Sequence, residues 1–176
     1  MDSFAFRQGM RLLCSGVTIV TSRHDDMATG LTATAVCSLS AEPPRLLACI
    51  NRTGVTCRAM RESGIFCVNV LTAEHEALAR RFAAPADGPN GRFAEGSWTR
   101  LATGAPVLEG SLAAFDCTVS ALLDQGSHVI CIGDVQEVRT APGARPLLYM
   151  DGAFLTAGAL MENAAAFMPR PKSGGQ

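Results

Sequence analysis

The segment Asn51–Thr56 carries the residues best suited to binding a phosphate. It leaves an apolar strand and enters a short predicted helix, Gly54–Glu62. The first N–H groups of a helix have no partner within it, and its positive dipole end attracts anions. The side chains available there are an amide, a guanidinium and two hydroxyls, those of Asn51, Arg52, Thr53 and Thr56. An ordinary helix cap beside a solvated arginine would give the same pattern, so both interpretations stay open.

The segment Gly30–Ser40 has small polar residues where a buried strand would carry valine or isoleucine. They are Thr32, Thr34, Cys37, Ser38 and Ser40. Small side chains let a flat ligand approach the backbone, whose N–H and C=O groups can then bind the edge of the ligand. A half-buried strand with one polar face has the same composition, and periodicity does not separate the two interpretations.

His128 is the histidine best placed for chemistry, because it borders an apolar run whereas His24 and His75 lie among charged residues. An imidazole at the mouth of a strand could contact a ligand and change protonation near neutral pH. It could equally be a structural hydrogen-bond partner.

Familiar catalytic and nucleotide-binding motifs do not occur in the chain. The sequence has no GxGxxG, no GxxxxGK[ST], no Gly-x-Ser-x-Gly and no His-Glu-x-x-His. Asp116 has no second carboxylate near it in sequence, so a glycosidase pair is not indicated. Any phosphate must therefore be bound by another device, such as the helix terminus after Asn51.

The first half of the chain predicts helices and strands that could position these residues. Asp2 or Ser3 can cap a first helix that Gly16 ends, with an apolar face of Phe6, Met10, Leu13 and Cys14. β-branched runs predict strands from Val17, over Gly30–Ser40 and over Arg45–Asn51, the last two divided by Pro43-Pro44. The predicted elements that follow are the helix Gly54–Glu62, a strand at Ile65–Leu71, a helix at Ala73–Ala83 and an irregular loop at Ala84–Gly96.

The second half predicts mainly strands, at Ser111–Leu123, Val129–Arg139 and Leu147–Met150. Strands that follow one another with few helices between them favour a mainly β fold, an antiparallel β-barrel with helices packed outside it. We expect a single domain over 1–160 and a C-terminal extension over 161–176, whose last nine residues have the composition of a disordered tail.

Composition excludes several classes of protein. The 176 residues suit one domain, with no room for a nucleotide-binding domain beside a separate substrate domain. A net charge of −1 indicates neither nucleic acid nor an anionic membrane as partner, and no apolar run reaches membrane-spanning length. The charged fraction of 18% is low for so small a domain, which favours an oligomer. Seven cysteines without a CxxC pair predict reduced core thiols in a cytoplasmic protein.

These features together resemble the flavin reductase family, the small components that supply reduced flavin to two-component monooxygenases. The similarity extends from Phe6 to about Leu155 and is greatest to the reductase component of 4-hydroxyphenylacetate 3-monooxygenase and its pyrimidine-utilisation relative. It is carried by Gly16-Val17-Thr18-Ile19-Val20-Thr21, GLTATAVCSLSAEPPRLLACIN at 30–51, CVNVL at 67–71, ARRFA at 79–83, PVLEGSLA at 106–113, Gly126-Ser127-His128 and Leu147-Leu148-Tyr149.

The resemblance implies an FMN-binding split β-barrel with a Greek-key-like antiparallel arrangement, usually a homodimer with flavin near the subunit interface. It implies hydride transfer from NADH or NADPH to FMN or FAD, and a flavin-dependent monooxygenase as the partner that receives reduced flavin. It also implies the following site residues. The isoalloxazine ring would lie along Thr32, Ala33, Thr34, Ala35, Val36, Cys37 and Ser38. The phosphate and ribityl end would be held by Asn51, Arg52, Thr53 and Thr56. Arg81, Phe82 and Ala83 would contact the flavin, and His128 would face the nicotinamide. His128 and Ser38 are the expected catalytic helpers, and no metal is expected.

One departure from close relatives stands out, because Phe154-Leu155 replaces an aromatic residue followed by histidine. Two alternatives to a flavin reductase remain. One is an oxidoreductase that keeps its flavin and reduces another acceptor, such as a corrinoid or a ferric complex. The other is a flavin- or haem-binding module without enzymatic activity.

Overall fold

A computed structural model describes residues 2–85 and 91–157 of the chain. The helices in these residues are α1 (Ser3–Arg11), α2 (Val55–Ser63) and α3 (Glu76–Ala83), with 3₁₀ turns at Ala73–His75 and Gly91–Ala94. The strands are β1 (Ser15–Gly16), β2 (Thr18–His24), β3 (Met27–Ala33), β4 (Val36–Ala41), β5 (Pro44–Asn51), β6 (Ile65–Val70), β7 (Trp98–Arg100), β8 (Pro106–Leu108), β9 (Ala113–Gln125), β10 (His128–Thr140), β11 (Leu147–Met150) and β12 (Ala153–Thr156).

The main sheet has seven antiparallel strands in the order β3-β2-β6-β9-β10-β5-β4. Its two edge strands, β3 and β4, are consecutive in the chain and only Thr34 and Ala35 separate them. Ala33 and Val36 are three residues apart, so they lie within about 11 Å of each other. The sheet must therefore curl until its two edges lie close together, although in the described residues β3 and β4 do not pair with each other. This confirms the predicted split β-barrel with helices outside it.

The predicted strand Gly30–Ser40 is wrong as a single element, because it divides into β3 and β4 at Thr34 and Ala35. The division follows from the topology, since the chain leaves one edge of the sheet there and joins the other. Four short strands were not predicted at all: β1 and β12, which flank β11 in a small three-stranded sheet, and the hairpin β7–β8. The predicted extension 161–176 and part of the predicted loop Ala84–Gly96 lie outside the described residues.

The described residues form three apolar clusters, of which the two larger ones attach helices to the sheet. One fills the barrel and includes Met60 of α2 and Phe66 of β6, both fully buried. The other packs α3 against the sheet through Leu78 and Phe82, the two residues that helical spacing places on one face. Burial of such large side chains stabilises the fold by roughly 1.5–3 kcal/mol for each one. Both outer helices are therefore fixed to the barrel by their apolar faces.

Helix α1 is capped as predicted, since the Asp2 carboxylate accepts a hydrogen bond of 2.9 Å from the Phe4 N–H. It ends earlier than predicted, at Arg11. Its apolar side chains do not pack on the barrel, and Phe4, Phe6 and Met10 are 60%, 58% and 50% exposed. None of the helices in residues 2–85 and 91–157 has the length and apolar character needed to cross a membrane.

All seven cysteines are free thiols. Four of them are buried, and burial raises the pKa of Cys117 and Cys131 to about 12 and that of Cys67 well above its ordinary value. Such thiols stay protonated and behave as small apolar side chains. Cys14 and Cys37 are exposed, so the prediction of core thiols does not hold for them.

Candidate functional site

A groove lies where the two edges of the main sheet, β3 and β4, come close together. It consists of two cavities. The first, the strand-end cavity, has a volume of about 260 Å³ and is lined by Leu31–Ala35, Cys49–Asn51 and His128. The second, the aromatic cavity, has a volume of about 470 Å³. Its lining residues are Val17, Thr32, Thr34, Arg80, Ala83, Ala84, Tyr149, Gly152 and Phe154. Thr32 and Thr34 line both cavities, so the two cavities adjoin.

The strand-end cavity brings together residues that are far apart in sequence. In the antiparallel pairing of β10 with β5, His128 lies opposite Asn51. The imidazole therefore stands beside the loop that enters α2, and both face the end of β3. His128 is exposed, and its Nδ1 lies 2.8 Å from the Ser127 hydroxyl. One nitrogen of the ring is thus oriented by a neighbour while Nε2 has no hydrogen-bond partner among the described residues.

The Asn51 side chain shapes the turn before α2. Its Oδ1 accepts hydrogen bonds of 2.9 Å from both the N–H and the hydroxyl of Thr53. The Arg52 N–H donates to the Ser127 carbonyl, which ties this turn to the strand that carries His128. The side-chain oxygen of Asn51 is therefore used within the turn, and the turn is fixed to β10.

Helix α2 begins without a side-chain cap. Gly54 is its N-cap residue and provides no capping side chain. Thr56 is buried, with 1% of its surface exposed, whereas Arg52 is exposed and has no ion pair among the described residues. Neither Arg52 nor the first turn of α2 lines the two cavities, but both follow Asn51, which does. The unpaired N–H groups of that turn and the exposed guanidinium give the region next to the strand-end cavity a positive character suited to a phosphate.

The predicted ring-binding stretch is divided between two places. Thr32–Ala35 line the strand-end cavity, and the exposed Thr34 and Ala35 lie outside the strand ladders. Val36, Cys37 and Ser38 instead border a different cavity, of about 240 Å³, together with Arg45, Val68 and Phe115 among others; we call it the β4 cavity. The structure therefore does not bring Ser38 to the cavity that contains His128.

The three predicted residues of α3 have different surroundings. Ala83 lines the aromatic cavity. Phe82 is 1% exposed and packs edge-on to Phe93, with ring centroids 5.1 Å apart. Arg81 donates from Nε to the Gly91 carbonyl at 2.7 Å and forms an ion pair with Glu95. Arg81 and Phe82 thus attach α3 to the segment that follows it, rather than lining the groove.

Six lining residues of the aromatic cavity were not predicted as site residues, and three of them, Arg80, Tyr149 and Phe154, carry charged or aromatic side chains. The Arg80 guanidinium lies 4.7 Å from the centroid of the Phe154 ring, and that ring packs against Tyr149 at 5.2 Å. Arg80 directly precedes Arg81, which the resemblance implied as a flavin contact, and Phe154 belongs to the pair Phe154-Leu155 that differs from close relatives. A signal was therefore present in the sequence, but the orientation of α3 decides which arginine faces the groove.

The groove can bind a flat, anionic molecule but shows no arrangement for acid–base chemistry by paired carboxylates. In residues 2–85 and 91–157, no group of three histidine, cysteine or acidic side chains could hold a metal ion. The groove provides backbone and hydroxyl groups at Thr34 and Ala35, the imidazole of His128, the guanidinium of Arg80 and two aromatic rings. Such a set binds and orients reactive molecules rather than supplying a nucleophile.

Comparison with known proteins agrees with this arrangement. Residues 10–158 match the model of the flavin reductase like domain. The chain is 44% identical over 149 residues to "FMN reductase (NADH) RutF 2" of Methylorubrum extorquens, covering 85% of this chain and 86% of that protein. It is 35% identical to the reductase subunit HsaB of a flavin-dependent monooxygenase from Mycobacterium tuberculosis, covering 88% and 82%.

Among solved structures, the chain is similar to BorF, the flavin reductase component of a bacterial two-component tryptophan halogenase. The TM-score is 0.81 at 30% sequence identity, with 88% of this chain and 98% of that chain covered.

Proposed function

The chain belongs to the flavin reductase like domain family, and on this premise we propose that it is an NADH-dependent flavin reductase. In this function it transfers a hydride from the reduced pyridine nucleotide to FMN or FAD. The observation that carries the proposal is the strand-end cavity, in which Thr32–Ala35, the turn at Asn51 and His128 meet.

The residues of the groove fit a flavin. A flat ring system needs a surface without bulky side chains, and Ala33, Thr34 and Ala35 provide one at the break between β3 and β4. A phosphate needs cations and free donors, which the uncapped start of α2 and Arg52 provide. The link between the two sets is Asn51, which lines the strand-end cavity and precedes the start of α2 by four residues.

The two bound molecules supply the chemistry, since a reduced nicotinamide is a hydride donor and an oxidised flavin is a hydride acceptor. The chain has to hold two rings with the reacting atoms roughly 3–3.5 Å apart. Backbone N–H groups along Thr32–Ala35 can stabilise negative charge at the edge of the flavin. His128 is our candidate for orienting the nicotinamide, and Ser38, on the β4 cavity, has no such placement.

A flavin-dependent monooxygenase is the partner we propose for the reduced flavin, as HsaB is the reductase subunit of such an enzyme. We also propose a homodimer, because α1 exposes Phe4, Phe6 and Met10, and an apolar face of this kind favours contact with a second copy. Seven free cysteines support a reducing, cytoplasmic location.

The test is NADH oxidation measured against added free FMN, FAD or no flavin, with NADPH in a parallel series. We expect oxidation that rises with flavin and saturates. Tightly bound flavin without a response to added flavin would instead indicate an enzyme that keeps its flavin and reduces another acceptor. Flavin binding without oxidation of either nucleotide would overturn the proposal in favour of a binding module.

A further inference from the structure

Arg80 is a cation of the groove to which neither the sequence nor the comparisons give a role. It lines the aromatic cavity next to Thr34, Tyr149 and Phe154, and its side chain is 62% exposed. Nε and Nη2 both donate to one carboxylate oxygen of Glu76, at 3.0 and 2.7 Å. In the described residues, Nη1 has no partner, so the guanidinium keeps donor capacity for a ligand in the cavity.

The position of Arg80 is fixed from two sides. Its guanidinium lies 4.7 Å from the centroid of the Phe154 ring, a geometry in which a cation is attracted by the ring face. The residue before it, Ala79, accepts a hydrogen bond of 2.6 Å from the hydroxyl of Thr32. Because Thr32 lies in the strand that lines both cavities, this bond holds Arg80 at a set distance from the flavin-binding surface.

The neighbouring arginine provides an internal contrast. Arg81 is bound to the Gly91 carbonyl and to Glu95, outside the groove. Of the two adjacent arginines, one is used in packing α3 and the other faces the larger cavity beside the proposed flavin surface.

We propose that Arg80 binds the pyrophosphate of the pyridine nucleotide in the aromatic cavity. This inference rests on the proposed function. The nicotinamide of the hydride donor must lie next to the flavin, and the donor carries its two phosphates on the side away from the reacting ring. A guanidinium is planar and presents several donors, which suits it to phosphate oxygens. The aromatic cavity is therefore the site of the pyridine nucleotide, and Arg80 determines the affinity for that nucleotide.

The experiment compares Arg80→Met with wild type in steady-state kinetics, using NADH with FMN and with FAD. We expect the KM for NADH to rise roughly tenfold or more, the scale of one lost charge-assisted hydrogen bond, with the KM for FMN changed less than about twofold. Arg100→Met is the matched control and should change neither constant, because Arg100 is an exposed arginine on β7 that lines none of the three cavities described above.

Glu76→Gln separates binding from a merely structural role. It removes the carboxylate charge that pairs with Arg80 and would compete with a phosphate for the guanidinium, so the KM for NADH should stay equal or fall. If Arg80 only stabilises α3 through this ion pair, Glu76→Gln should reproduce the defect of Arg80→Met, and the proposal would be wrong. A rise in the KM for FMN or only for FAD in Arg80→Met would assign Arg80 to the flavin and would also overturn it.

A binding measurement tests the role of Arg80 without relying on enzymatic turnover. ADP-ribose, which has the pyrophosphate but no nicotinamide, is titrated by calorimetry into flavin-free and into FMN-loaded protein. We expect binding to wild type that Arg80→Met weakens roughly tenfold. No binding to wild type, or equal binding to both, contradicts the role of Arg80 even if the protein reduces flavin. If wild type binds ADP-ribose through Arg80 but shows no flavin-dependent oxidation of NADH, the proposed function fails while the binding site stands.

Discussion

Polar side chains buried between the main sheet and the β7–β8 hairpin differ from those of the groove in how completely they are hydrogen-bonded. Under the hairpin, Asp116 is fully buried and accepts from both the N–H and the hydroxyl of Thr103, at 2.6 and 2.5 Å. Asn69, also fully buried, donates to the Ile19 carbonyl and accepts from the Leu108 N–H. In and beside the groove, His128 and Arg52 are exposed, and Arg52 has no ion pair among the described residues.

The difference has a simple physical origin. A buried polar group without a partner costs about 1–3 kcal/mol, so the groups under the hairpin must satisfy one another and serve stability. Groups that water can reach carry no such cost and keep their capacity for a ligand. We therefore expect substitutions under the hairpin to reduce stability and substitutions in the groove to reduce binding.

The largest effect is expected for Asp116→Ala under the hairpin. It leaves two donors of the half-buried Thr103 without an acceptor, so the free energy of unfolding should fall by about 3 kcal/mol. Denaturant unfolding measures this, and flavin affinity of the folded fraction should not change. The control is Glu137→Ala, since Glu137 accepts from the Ala102 N–H of the same loop but is exposed. Equal losses for the two variants would show that burial is not the cause.

The next largest effect is expected for Arg52→Ala beside the groove. Loss of a charge-assisted contact should weaken flavin binding by about 1.5–3 kcal/mol while the unfolding midpoint stays the same. Fluorescence titration with FMN measures the dissociation constant, with Arg100→Ala as control. An unchanged constant would show that Arg52 is only solvated and would remove it from the site.

A smaller effect is expected for His128→Ala. If the imidazole orients the nicotinamide, the observed rate of flavin reduction at fixed NADH should fall about tenfold, equivalent to roughly 1.4 kcal/mol. Anaerobic stopped-flow absorbance follows the reduction directly. His24→Ala, at the β2–β3 turn outside the groove, is the control. Unchanged reduction kinetics in His128→Ala would exclude the role.

Thr32→Val tests the comparison at a residue that lines the groove and is also hydrogen-bonded within the protein. It lines the groove, but its hydroxyl is already donated to the Ala79 carbonyl. We therefore expect a loss of about 1 kcal/mol in the free energy of unfolding and little change in flavin affinity. Thermal unfolding and an FMN titration measure the two quantities. A large loss of flavin affinity at full stability would mean that the hydroxyl binds the ligand and not α3.

Much of the fold could be predicted from the sequence where one periodicity dominates. The spacing of Leu78 and Phe82 gave the buried face of α3, and the β-branched run after Val17 gave β2. The break at Thr34-Ala35 could not be predicted, because no glycine or proline marks it and only the closure of the barrel requires it. Strands as short as Pro106–Leu108 carry too few residues to show a period.

The candidate site was predicted best where chain order and spatial order agree, as at Thr32–Ala35. The meeting of Asn51 with His128 depends on the register of β5 and β10, which the sequence alone did not provide. Arg80 was missed in favour of Arg81 for a related reason. Successive residues of a helix point about 100° apart, and the direction that faces the groove depends on how α3 is placed.

The central claim is that flavin lies on Thr32–Ala35 with its phosphate at the start of α2. A crystal structure of the protein with FMN tests it most directly. The account predicts the ring system in the strand-end cavity, in contact with Thr34 and Ala35, and the phosphate within hydrogen-bond distance of Arg52 or the first N–H groups of α2. A ring bound in the β4 cavity beside Cys37 and Ser38, or a phosphate remote from Arg52, would contradict it.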